Sequence, residues 1–135
     1  MIILNREQFD SIVEHAKNIL PNEDCGLLGG TIDGDRRIVE KIYFLTNADA
    51  SPEHFSMNPA EQFAAVKDMR SHSWQLMGNF HSHPTSPARP SAEDKRLVFD
   101  TTLSYLILSL AREPTLRSFR FDRDKTIVEE NICVQ

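Results

Sequence analysis

Residues 103–110 constrain this chain more than any other stretch: apart from Ser104 and Ser109, they carry only apolar or aromatic side chains. Eight residues suit a strand better than a helix, although a buried helical segment shows the same pattern. The neighbouring segments favour a central strand. A strand that is apolar on both faces has to be covered on both, so the chain needs helices to lay against a sheet.

Those helices are legible. Asn5 can cap a helix, with Gln8 completing a capping box. Phe9, Ile12, Val13, Ala16, Ile19 and Leu20 then form one apolar stripe, ended by Pro21-Asn22. A second start lies at Asn58-Pro59-Ala60-Glu61, with Phe63, Val66 and Met69 as the buried stripe. A third opens at Ser91-Ala92-Glu93-Asp94 and is expected to run to about Asp100. Strands are expected at 2–4, 25–32, 37–45, 75–82, 116–121 and 126–134, with a short one at 54–57. The second is weakened by three glycines, and Asp33-Gly34-Asp35 turns it into the third as a hairpin. The expected fold is mixed α/β, a sheet with helices on its faces, in one domain spanning residues 1–135.

The 135 residues are 40% hydrophobic and 26% charged, enough for a sizeable core. A net charge of −5 gives no electrostatic case for nucleic acid. The pair Arg36-Arg37 reads as solvated surface. Two cysteines, Cys25 and Cys133, are too few for a disulfide framework and suggest a reducing compartment. There is neither an apolar leader nor a run of about 18 apolar residues, so no membrane is expected and the cytoplasm is the default.

The chemistry concentrates in His81-Ser82-His83-Pro84, followed by Ser91 and Asp94. Two imidazoles one residue apart share one face of an extended segment. A carboxylate returning after the turn with Pro87 and Pro90 can join them. Two nitrogens, one oxygen and an open position suit a catalytic zinc ion rather than a structural one. The junction has a plainer reading too: Ser91 is a good N-cap, and Asp94 or Glu93 can satisfy first-turn amides. Both readings can hold together. Of the neighbours, Ser82 should point away from the ligands, and Cys25 reads as a small buried hydrophobe. His15 and His54 read as structural or surface residues, Trp74 as the edge of the core. Glu61 and Asp68 read as ordinary helix-surface acids. His72 suits a helix C-terminus as an imidazolium.

In this pattern the chain resembles the JAMM family of zinc metalloproteases, the catalytically competent branch of the MPN domains. That family's signature is an upstream glutamate, then His-x-His, seven residues, Ser, two residues and Asp, matched here by His81, His83, Ser91 and Asp94. The glutamate falls on Glu23, next to Asp24. The resemblance implies a cytidine deaminase-like α/β/α sandwich. It implies one zinc per chain held by His81, His83 and Asp94, Glu23 as general base and then acid, and Ser91 as oxyanion donor. It also implies hydrolysis of amide or isopeptide bonds at the C-terminal tail of ubiquitin-fold proteins. The phrases His-Ser-His-Pro and Pro-Ala-Arg-Pro-Ser are similar to those of short bacterial members that act on sulfur-carrier proteins. Two other readings stand beside it. A non-enzymatic MPN-type scaffold would lack the ligands that are present here. A zinc deaminase would need the His-x-Glu and Pro-Cys-x-x-Cys features that are missing.

Overall fold

A computed structural model describes every residue of the chain except 99. The first strand, β1 (Ile2–Leu4), enters α1 (Arg6–Ile19) through the expected box. Asn5 Oδ1 accepts the Gln8 N–H at 2.7 Å, and Gln8 Oε1 accepts the Asn5 N–H at 2.9 Å. The hairpin forms as expected from β2 (Cys25–Asp33) and β3 (Arg36–Leu45), with Gly34 at φ +63° in its turn. Next come α2 (Pro59–Ser71), β4 (Gln75–His83), α3 (Ala92–Arg96), β5 (Ser104–Ser109) and β6 (Thr115–Phe121). The chain closes with β7 (Ile127–Glu130) and β8 (Ile132–Val134).

The strands form one mixed sheet in the order β7-β6-β5-β4-β2-β3-β1-β8. β1 runs parallel to β3 and β8, and β4 runs parallel to β5; the other pairs are antiparallel. β7 and β8 stand at opposite ends of that order, yet only Asn131 separates them in the chain. The sheet therefore curls until its two ends meet in one extended segment. The Ile2 N–H donates to the Asn131 carbonyl at 2.9 Å, and the N-terminal ammonium lies 3.5 Å from Glu130. The expected single strand at 126–134 is thus two ladders, because the segment changes partner at Asn131.

α1 lies inside the curl. Its Ile12 and Ala16 pack on Leu4, Leu28, Phe80, Leu106 and Leu108. On the outer face α2 sets Ala65 and Met69 against Cys25, Leu27 and Leu45, while Ala88 and Val98 cover Ile107, Phe119 and Phe121. β5 is buried on both faces, as its composition required. Among the described residues no helix is long and apolar enough to cross a membrane.

Several expectations need correction. Residues 54–57 make only an isolated bridge, Asn47 to Met57. The helix opened by Ser91 stops at Arg96, short of Asp100. Phe63 is 73% exposed, because α2 buries Ala65 and Met69, and two residues along a helix turn a side chain to the far side. Leu20 lies beyond the end of α1 and is exposed. Arg37 is buried, not solvated. The β2–β4 register jumps around Met77, and Arg37 Nη1 donates to that residue's carbonyl at 2.7 Å. A bulge frees a backbone acceptor, and a buried acceptor needs a donor. Glu61 and Asp68 staple α2 to the sheet side. Glu61 accepts from the Thr46 N–H at 2.7 Å, and Asp68 from the Tyr43 hydroxyl at 2.7 Å and Lys41 at 3.0 Å.

Candidate metal centre

β4 ends on His83, so alternation puts His81 and His83 on the same outer face of the sheet. Because β5 is parallel to β4, the chain must cross over the sheet after His83; Ala88 and Val98 pack on the outer face, and α3 lies on that crossover. This brings Asp94, in the first turn of α3, over the two imidazoles. On the other side β2 runs antiparallel to β4 with Cys25 opposite His81, so the residues just before β2 fall beside Ser82 and His83.

The ligand atoms converge. His81 Nε2 and His83 Nε2 are 3.0 Å apart, and each is 3.1 Å from Asp94 Oδ2. Both imidazoles are buried, and the Phe55 ring stacks on His81 with centroids 4.7 Å apart. His83 Nδ1 faces the Pro87 carbonyl at 2.8 Å. A carbonyl only accepts, so Nδ1 carries the proton, and the Nε2 of the neutral ring presents its lone pair to the centre. Burial lowers the His81 pKa. Burial also acts to lower that of His83, but the hydrogen bonds to Asp94 and Pro87 outweigh it and raise it. Burial acts to raise the Asp94 pKa, and the two imidazoles outweigh it and hold the carboxyl well below the usual range.

A divalent metal fits this donor set. Three ligand atoms about 2.0–2.2 Å from a tetrahedral ion lie about 3.3–3.6 Å from one another, a few tenths of an ångström more than the 3.0–3.1 Å found. Glu23 supplies a second sign. Its Oε1 is buried with no hydrogen-bond partner among the described residues, and burial, with Asp94 and Glu93 nearby, pushes its carboxyl up to about 8 despite His83. A buried carboxyl oxygen without a partner, beside a convergent ligand set, is a group kept for something that arrives.

Ser91 and Asp94 form a reciprocal cap. The Ser91 hydroxyl accepts the Asp94 N–H at 3.0 Å, and Asp94 Oδ2 accepts the Ser91 N–H at 2.9 Å. The open choice between Glu93 and Asp94 resolves to Asp94. The Ser91 hydroxyl only accepts in this cap, so its proton is left to donate elsewhere.

A cavity of about 550 Å³ opens onto His81 and Asp94. Phe55, Met57, Leu97 and Tyr105 give it apolar walls, and Asp49 and Glu93 give it acidic ones. Sequence reasoning named Glu93 only as a possible cap and missed the others as site residues. Phe55 and Met57 were discoverable as apolar residues in a polar loop. The remaining residues singled out in the sequence lie elsewhere. Ser82 points away from the ligands as expected. Cys25 is buried, its thiol pushed up to about 12 by burial, with Sγ 3.6 Å from the Leu45 carbonyl. His15 pairs with Asp24 on the α1 side at 2.6 Å and stacks on Phe44. His54 pairs with Asp49 at 3.0 Å, and His72 caps α2 and stacks on Trp74.

The family model for prokaryotic homologs of the JAB domain matches residues 5–122. The chain belongs to the prokaryotic JAB-domain family. Among relatives of this JAB-domain chain, the CysO-cysteine peptidase of Mycobacterium tuberculosis is 29% identical over 99% of the chain and 91% of the relative. The desampylase of Haloferax volcanii is 33% identical, covering 74% of each. A protein from Desulfitobacterium hafniense, solved in solution, is 57% identical. It superposes with a TM-score of 0.92 over 100% of this chain and 93% of that one.

Proposed function

We propose that this chain is a zinc-dependent peptidase that hydrolyses the amide or isopeptide bond at the C-terminal tail of a ubiquitin-fold, sulfur-carrier-like protein. One observation carries the reading: three ligand atoms meet at 3.0–3.1 Å beside a Glu23 carboxyl oxygen that has no partner among the described residues. The names of the relatives support it, a CysO-cysteine peptidase and a desampylase.

His81, His83 and Asp94 hold one zinc ion per chain. When bound, zinc supplies Lewis acidity, making water nucleophilic near neutral pH and polarising a carbonyl. Glu23 takes a proton from the attacking water and delivers it to the leaving amine. Its burial suits that exchange, since it brings the carboxyl toward the working pH. The Ser91 hydroxyl donates to the oxyanion that develops on the scissile carbonyl while still accepting the Asp94 amide. Phe55, stacked on His81, and Met57 present an apolar wall on that side of the cavity. The same reading makes residues 1–135 one domain with the cytidine deaminase-like α/β/α sandwich. It places the protein's work in the cytoplasm, in keeping with two unpaired thiols.

The test is incubation with a sulfur-carrier protein bearing a C-terminal extension, followed by intact-mass measurement. The native protein should remove the mass of the extension, and Glu23→Gln should leave it in place. Persistence of the full-length carrier with zinc-loaded native protein counts against the reading.

A further inference from the structure

Loop 84–90, which links His83 to the α3 cap, borders a second cavity, of about 430 Å³. Pro87 and Arg89 wall it on one side, and Ser109, Arg112, Glu113 and Arg117 on the others. Three arginines thus line one cavity in a chain of net charge −5. Arg117 reaches Glu129 at 3.6 Å; among the described residues neither Arg89 nor Arg112 makes an ion pair.

This cavity adjoins the metal centre. Pro87 is the residue whose carbonyl accepts the His83 Nδ1 proton at 2.8 Å. Ser109 is the register partner of His83 across β4 and β5, and its hydroxyl pins the loop by donating to the Ser86 carbonyl at 2.6 Å. The two cavities beside the imidazoles carry opposite charge. The charged groups lining the one at His81 are all acids or ligands: Asp49, Glu93, Asp94 and His81 itself. The one behind Pro87 is lined by three arginines, of which Arg117 is paired with Glu129, against the single lining carboxylate of Glu113.

We propose that the arginine cavity is a carboxylate subsite, which receives the free C-terminal carboxylate of the group released from the tail. This rests on the peptidase reading. In an α-linked leaving residue, the carboxylate stands two covalent bonds from the scissile nitrogen. It therefore stays beside the metal centre, which loop 84–90 with its Arg89 borders, and the forked donors of arginine match a carboxylate in pairs. Asp49 and Glu93 repel it from the other cavity, so charge alone orients the substrate, with the neutral tail on the apolar side and the leaving acid toward Pro87. A leaving group attached through a lysine side chain presents no carboxylate there. The subsite thus favours tails extended by one residue or a short peptide over isopeptide conjugates.

N-acetylalanine and N-acetylalaninamide, titrated into the zinc-loaded protein, separate the possibilities by heteronuclear NMR. The acid should move the amide signals of Ala111, Arg112 and Arg117, and the amide should not. R112Q/R117Q should weaken the response at least about tenfold, the scale of a lost charge-assisted hydrogen bond. Equal responses to acid and amide, or shifts confined to His81, His83 and Asp94, would overturn the proposal. A carrier tail ending in alanine should likewise have a KM at least about tenfold below that of its alaninamide counterpart, a gap that R112Q/R117Q closes with metal content unchanged. Equal KM values for the two tails in the native protein also overturn it. If neither tail is cleaved, the peptidase reading fails, and the titration alone decides the subsite.

Discussion

Ser82 and Asp24 hold each other across the sheet. The Asp24 N–H donates to Ser82 Oγ at 2.7 Å, and the Ser82 N–H donates to the Asp24 carbonyl at 3.0 Å. Ser82 lies between the two histidines, and Asp24 follows Glu23. The pair therefore fixes the register between the proposed base and the proposed ligands, from the face opposite to both. Ser82→Ala leaves the buried Asp24 amide without its acceptor, which costs about 1–3 kcal/mol. Zinc content should hold, since both imidazoles stay on β4, while turnover falls as Glu23 loses its anchor. Unchanged stability in denaturant titration would show that the bond does not set the register.

Glu23→Gln should keep zinc and lower turnover by about 100-fold or more, whereas Asp24→Asn should cost far less turnover. The same variant gives a pH signature in the metal-free protein. Burial raises the Glu23 pKa from 4.5 to about 8. Between those values the folded state keeps a proton that the unfolded state releases, so stability falls as pH rises through the window. Below it, both states are protonated, so the slope vanishes and the full stability is retained. Melting temperatures of the chelated proteins should therefore diverge from about pH 5 to about pH 8, with Glu23→Gln gaining on the native chain. Parallel pH profiles would contradict this.

Much of this was legible because it depends on local chemistry. The Asn5–Gln8 box, the Gly34 turn and the Asn58 cap each need only neighbours in sequence, and all three form. The His81–Asp94 cluster was legible because alternation and one crossover suffice to assemble it. What was not legible depends on the curl of the sheet. Residues 126–134 read as one strand because nothing local records that β6 and β1 will meet at Asn131. Arg37 reads as surface because its acceptor, Met77, is a bulge 40 residues away. Phe63 reads as core because the stripe on α2 is short of large apolar residues, and the sheet selects Ala65 and Met69 instead.

The glycines of β2 show the same limit. Their sequence reads as weakness, yet a Cβ on Gly26 would collide with the Phe80 ring and the Tyr43 carbonyl. Gly26→Ala should destabilise by about 1–3 kcal/mol through overpacking. A denaturation midpoint equal to the native one would mean that the strands separate there at no cost.

Ser91→Ala removes a cap and a proposed donor together. The cap is worth roughly 1 kcal/mol, and the donor about 100-fold in turnover. Ser91→Asn keeps both a cap and a donor, so the expected order of activity is native, Asn, Ala, with Asn near native stability. An Ala variant that is less stable but fully active would reduce Ser91 to a cap.

The central claim is that His81, His83 and Asp94 hold the zinc on which hydrolysis depends. Metal analysis of protein purified without added metal, with activity measured on the same samples, tests it most directly. The native chain should carry about one zinc, His83→Ala should lose most of it, and activity should follow zinc content. A native protein that is free of metal and still cleaves its substrate contradicts the account.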